Sequence, residues 1–138
     1  MDSPKVLLLT HGGWGIALVD SLKMIMGSVD FVHEIPLTPE VTFEEYYNIV
    51  NEYVDTMPEN SLILTDIFGG TTTNVAAKIG RDRGLKVISG LNAPLLTEVC
   101  SEIVFNGNYD FDAVLTVGKT SVKDVVKDIL DSINKRGE

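Results

Sequence analysis

Apolar residues fall into short continuous runs separated by amphipathic stretches, and this alternation predicts a succession of strands and helices. Lys5-Val6-Leu7-Leu8-Leu9 is a run of the kind that suits a strand buried on both faces. A polar, glycine-rich loop follows at 10–15. Over 16–26, Ile16, Leu18, Val19, Leu22, Ile25 and Met26 recur mostly at three- and four-residue spacings, so a helix is expected there, stopped by Gly27. A second strand is expected over Val29–Ile35, ended by Pro36 and Pro39. Thr42 and Glu45 have the spacing of a capping box and open a helix over 42–55, whose broad apolar face includes Tyr46, Tyr47, Val50 and Tyr53. Ser61–Thr65 reads as a third buried strand closed by Asp66, and a glycine- and threonine-rich loop leads into a helix from about Thr73 to Arg83.

A fourth strand is expected over 85–89. Pro94 suits the first turn of a helix over about 94–105. From Asp110 to about Ile133 the spacing is mainly helical, although the β-rich stretch Val114-Leu115-Thr116-Val117 allows a fifth strand there instead. The pattern predicts an α/β domain: an open, mostly parallel sheet of four strands, with the fifth as an option, and helices on both faces. With 138 residues, the whole of 1–138 is expected to be one domain. In such sheets ligands collect at the carboxyl ends of the strands, where strand order reverses. Attention therefore goes to three loops: 10–15, 66–74 and 90–94.

Charge and cysteine content narrow the choice of function. A net charge of −9 argues against a nucleic-acid backbone or an anionic membrane surface, and it favours a basic protein partner. One cysteine, Cys100, allows neither an internal disulfide nor a thiolate zinc cluster, and it reads as a small core residue. With only two histidines in addition, no metal site and no cofactor are expected. No apolar signal region or run of roughly 20 apolar residues is present, so a cytoplasmic protein without membrane insertion is expected.

The first loop offers His11 followed by Gly12, Gly13 and Gly15. Imidazole is the side chain best suited to act as nucleophile near neutral pH, and the glycines let backbone approach an anion. Asp66 ends the third strand. If strands one and three are neighbours, about 4.8 Å apart, its carboxylate would reach one ring nitrogen of His11 and fix the tautomer. An Asx-type bond to the turn after Asp66 is an equal reading. Gly69, Gly70, Thr71, Thr72 and Thr73 precede a helix and form a candidate phosphate cradle, although Thr72 or Thr73 would also serve as a simple helix cap. Neither loop is a P-loop or a dinucleotide fingerprint. Asn92 and Pro94 in the third loop, and Trp14 in the first, are candidate partner contacts, with turn residue, helix start and helix packing as their plain alternatives. His33 is expected to lie in the second strand away from this edge. Lys123, Asp124, Lys127, Asp128 and Asp131 read as a solvated helical face.

Three segments resemble the motifs of the mannose-type enzyme IIA components of the bacterial sugar phosphotransferase system. Thr10-His11-Gly12 with Gly15, Leu18, Ser21 and Met24 to Gly27 resembles the first motif. Thr65-Asp66-Ile67-Phe68-Gly69-Gly70-Thr71-Thr72-Thr73-Asn74 is similar to the family's Asp-x-aromatic-Gly-Gly-Ser-Pro-x-Asn. Gly90-Leu91-Asn92-Ala93-Pro94-Leu95-Leu96-Thr97-Glu98 is similar to Gly-Val-Asn-x-Pro-Met-Leu-x-Glu. The resemblance implies a phosphoryl carrier. His11 would accept the group from the histidine-containing phosphocarrier protein and pass it to a IIB component. Asp66 would bond the non-reacting nitrogen, and residues 69–73 would face the phosphate. It also implies a homodimer, in some members formed by exchange of a C-terminal strand, which would account for the ambiguity of residues 110–120. Thr71-Thr72-Thr73 departs from the family's Ser-Pro-x and lacks its proline. Two rivals remain. A receiver-like module would use Asp66 as phosphoacceptor and Lys119 beside it, but no acidic pair follows the first strand to hold Mg²⁺. An idle regulatory module of the same fold has no need of both His11 and Asp66.

Overall fold

The computed structural model describes residues 2–137. Four strands, β1 (Val6–His11), β2 (Val32–Leu37), β3 (Leu62–Thr65) and β4 (Lys86–Ser89), form one sheet in the order β2-β1-β3-β4, and every pairing is parallel. Among the described residues there are seven helices: α1 (Trp14–Ser21), α2 (Lys23–Met26), α3 (Phe43–Val54), α4 (Thr71–Arg83), α5 (Ala93–Asn106), α6 (Phe111–Thr120) and α7 (Val125–Arg136). The fold class and the placing of helices on both faces are as expected. Alternate residues of the central strands feed two separate cores, as the period of two requires. Val6, Leu8, Leu62 and Leu64 pack towards α1, α5 and α6. Leu7, Leu9 and Ile63 pack towards α3 and α4, with Tyr46, Val50, Val75 and Ile79.

Several boundaries differ from the expectation. The optional fifth strand is absent: 114–117 lies within α6, where Val114 and Leu115 pack on the α5 side. The Asp110 side chain caps this helix by accepting from the Ala113 amide at 3.1 Å, a local signal that outweighs β-propensity. β2 begins later than expected and runs through Pro36 to Leu37. This is tolerated because β2 is an edge strand, with β1 as its only ladder partner among the described residues. The helix expected over 16–26 starts at Trp14 and is broken at Leu22 into α1 and α2. The N-cap half of the capping box at α3 is present, the Glu45 amide donating to Thr42 Oγ1 at 3.1 Å, while Glu45 Oε1 accepts from that hydroxyl at 3.0 Å. Cys100 is fully buried, and burial pushes its thiol up to about 12, consistent with a core role.

Candidate functional site

Strand order reverses between β1 and β3, because β1 connects outward to β2 and β3 lies on its other side. The carboxyl ends of those two strands present His11 and Asp66. β3 ends at Thr65, opposite Leu9, so the sheet ladder has no further backbone acceptor for β1. The Asp66 side chain takes its place. Oδ2 accepts the His11 backbone N–H at 2.6 Å and lies 2.9 Å from ring Nδ1. Trp14 Nε1 donates to the same oxygen at 3.4 Å. Oδ1 accepts from the Ile67 amide at 2.9 Å and from Thr72 Oγ1 at 2.8 Å. Oδ1 therefore serves the turn after Asp66 through the adjacent Ile67 amide, not the amide two residues on that an Asx turn uses, while Oδ2 holds His11.

The electrostatics follow from these donors. Burial by itself raises the Asp66 carboxyl pKa, but hydrogen bonds from the His11 backbone, the His11 ring and Thr72, with the charge interaction at His11, outweigh it and hold the group at about 2. An ionised acceptor at Nδ1 requires the proton on that nitrogen. In the neutral ring Nε2 then keeps its lone pair. The His11 side chain is 44% exposed, against 1% for Asp66, so the ring is open at the surface while the anchoring carboxylate is sealed.

Nε2 looks onto the start of α4. A Cβ on Gly70 would come within 3.2 Å of the ring Cε1 and 3.7 Å of Nε2, so the ring lies against bare backbone. α4 has no side-chain cap and no acidic residue in its first turn. The amides of Thr71, Thr72 and Thr73 have no backbone acceptor among the described residues, and their dipoles favour an anion. The threonine hydroxyls divide differently from the expectation. Thr72 is spent on Asp66. Thr73 donates to the Ile67 carbonyl at 2.5 Å and lies 2.7 Å from Thr65 Oγ1. Half-buried Thr71 is the one of the three whose hydroxyl has no intramolecular partner among the described residues. Neither threonine caps α4; its N-cap is Gly70.

The first loop is built for the turn off β1. Gly12 and Gly13 have φ of 76° and 88°, a region that side chains rarely adopt, and the Gly12 amide donates to the Leu37 carbonyl at 2.9 Å. Asn92 caps α5, accepting from the Leu95 amide at 2.9 Å, and Pro94 is exposed in the first turn of that helix. His33 lies within β2 away from this edge, stacked on Tyr53 at 4.3 Å between ring centroids.

Three features escaped the sequence reading. Ile67 and Phe68, taken there only as motif positions, are 58% and 84% exposed beside the site, next to half-exposed Trp14. An open depression of about 410 Å³ borders His11, walled by Gly12, Leu37, Thr38 and Pro39. Glu34 in β2 holds the loop from behind: its Oε2 accepts from Thr10 Oγ1 and from the Gly15 amide, each at 2.6 Å. An acidic residue in a predicted strand, between His33 and Ile35, was the available signal for Glu34.

An open parallel sheet with a histidine held by an aspartate at its switch point, beside an uncapped helix, is the arrangement of a phosphotransferase-system IIA component. Residues 5–114 match the EIIA-man family, described as the PTS system fructose IIA component, and the chain belongs to that family. Among its relatives is the PTS system fructose-specific EIIA component of Bacillus subtilis (strain 168), 33% identical over 100 residues, covering 70% of this chain and 68% of the relative. The PTS system sorbose-specific EIIA component of Lacticaseibacillus casei is 29% identical over 97 residues, covering 69% and 70%. In three dimensions the chain is similar to the phosphotransferase system component EIIA of Streptococcus agalactiae, with a TM-score of 0.79 and 25% identity over 89% of this chain and 98% of that one. No described helix is long and apolar enough to cross a membrane.

Proposed function

We propose that this IIA component carries the phosphoryl group on His11 Nε2. The observation that supports this most is the pairing of Nδ1 with a sealed carboxylate on a ring that is itself 44% exposed. The Nε2 lone pair attacks the phosphorus of a phosphohistidine on the histidine-containing phosphocarrier protein. The donor's N–P bond breaks, and its electron pair returns to the donor imidazole. The positive charge that develops on the His11 ring is stabilised through Nδ1–H by Asp66. The phosphoryl oxygens meet the amides of Thr71–Thr73, the Thr71 hydroxyl and the bare backbone of Gly69 and Gly70. The same steps run towards a histidine of a IIB component complete the relay, and no water is consumed. The protein supplies position and charge, which is what phosphoryl transfer chiefly demands.

Both partners must reach one nitrogen in turn, so docking is transient and shared. The exposed rim of Trp14, Ile67 and Phe68 is suited to contact them, with Pro94 beyond it, and the net charge of −9 favours a basic docking face. Asn92 acts here by shaping the third loop. A homodimer remains part of this reading. Its support is α7, which buries none of its residues and leaves Val125, Val126, Ile129, Leu130 and Ile133 more than half exposed. Incubation with phosphoenolpyruvate, the general first enzyme of the system and the phosphocarrier is expected to add one acid-labile, base-stable phosphate. Label retained by His11→Ala overturns the assignment.

A further inference from the structure

Two helices begin at the carboxyl edge of β1, one on each face of the sheet. His11 shares a face with Leu7 and Leu9 and turns towards α4, whose first amides are free. Thr10 points the other way, with Val6 and Leu8, towards α1. That second helix start is occupied. Glu34 lies on the α1 face of β2, alternating with His33 and Ile35, and its carboxylate Oε2 accepts from the Thr10 hydroxyl and the Gly15 amide, both at 2.6 Å. Charge-assisted bonds of this length are among the stronger hydrogen bonds in proteins. They tie the residue just before His11 to the first turn of α1, and the turn through Gly12 and Gly13 lies between these two anchors.

The neighbourhood is shaped around that carboxylate. A Cβ on Gly15 would stand 2.5 Å from Glu34 Oε2 and 3.0 Å from both Leu8 Cδ1 and Thr10 Cγ2, so no other residue fits there with the clamp in place. Gly13 also borders it, with Glu34 Oε1 3.8 Å from where its Cβ would be. The carboxylate performs a further task at this point: an anion resting on the Gly15 amide at the α1 start repels a second anion there. Of the two helix starts, only the one faced by Nε2 is left for a phosphoryl group.

We propose that Glu34 is a positioning residue of the transfer site, holding the 10–15 loop from the opposite face of the sheet and reserving the α4 start for the phosphoryl group. This rests on the phosphoryl-carrier reading of His11. Glu34 bonds Thr10 and Gly15 and not the ring, so its loss acts through the orientation of His11. Displacements of about 1 Å in such sites cost on the order of 10²-fold in rate.

The test uses the full chain with Glu34→Ala, Glu34→Gln and Gly15→Ala, read by ¹⁵N NMR of the His11 ring before any phosphate is added and then by transfer from the phosphorylated carrier. Glu34→Ala is expected to move the ring nitrogen shifts away from a single Nδ1–H form. It is expected to slow transfer by on the order of 10- to 10²-fold at saturating donor, with half-saturation unchanged because docking is untouched. Glu34→Gln keeps an oxygen for both donors and is expected to restore the ring shifts and most of the rate. Gly15→Ala expels the carboxylate from the other side, so the Glu34→Ala/Gly15→Ala double variant is expected to be no slower than the slower single one. Wild-type ring shifts in both Glu34→Ala and Gly15→Ala overturn the proposal, and so do additive rate losses. If Glu34→Ala does not fold, Gly15→Ala decides by the same shifts. The NMR result stands apart from the carrier reading: altered shifts in a protein that takes up no phosphate would retire the function and keep the clamp.

Discussion

Replacing Asp66 with Asn changes one atom's chemistry and leaves the volume almost unchanged, so its consequences follow directly from the hydrogen bonds. The carboxylate accepts from five donors, three on Oδ2 and two on Oδ1. An asparagine must place an NH₂ group on one of these sides. If it faces His11, it meets the fixed backbone N–H at the position of a 2.6 Å bond, and the ring must move its proton to Nε2 so that Nδ1 can accept. If it faces Ile67, the Thr72 hydroxyl can rotate to accept, but the Ile67 amide is left without an acceptor. Either choice orphans one fixed backbone N–H, at about 1–3 kcal/mol. The charge-assisted part of the remaining bonds is lost as well. We expect Asp66→Asn to lose about 2–4 kcal/mol of unfolding free energy by urea titration. We expect phosphoryl transfer to fall by on the order of 10²- to 10⁴-fold, because the Nε2 lone pair is withdrawn or its positive charge goes uncompensated. Nitrogen NMR of the ring separates the two arrangements. Wild-type transfer by Asp66→Asn, with the ring still protonated on Nδ1 alone, would refute the reasoning outright.

Acid should weaken the same contact. The Asp66 carboxyl lies at about 2 in the fold against 3.8 for the reference group, so its stabilisation is present above about pH 4 and is lost as pH falls towards 2. This amounts to about 2 kcal/mol, and the stability gap between wild type and Asp66→Asn should narrow by that amount between pH 6 and pH 2 in urea titrations. A gap independent of pH would show that the carboxylate is not ionised in the fold. Ile129→Asp places a charge in the exposed apolar face of α7. It should leave the unfolding free energy of the monomer within about 0.5 kcal/mol and convert a dimer to monomer by light scattering. A dimer unaffected by this change would move the interface away from α7.

Much of this was legible in the chain itself. Runs such as Val6–Leu9 and Leu62–Leu64 are apolar at every position because both faces of a central parallel strand are covered, and the helices between them declare themselves by period and caps. That alternation determined the sheet, and the ends of the strands determined which loops to search. The placing of His11 and Asp66 at strand ends is a local property, readable before any contact is known. Three outcomes belonged to the tertiary structure alone. Val114, Thr116 and Val117 are β-branched, yet they lie in a helix because Asp110 caps it and α5 offers a surface to pack on. Thr71, Thr72 and Thr73 look alike in sequence, but only the fold spends two of their hydroxyls on Asp66 and Ile67 and leaves the third free. Glu34, 23 residues beyond His11 in the chain, comes to stand behind its loop because β2 pairs with β1 in one register. The pattern of side chains states which residues are buried and where strands stop. Which donor finds which acceptor depends on distances across the sheet, and those exist only once the strands are side by side.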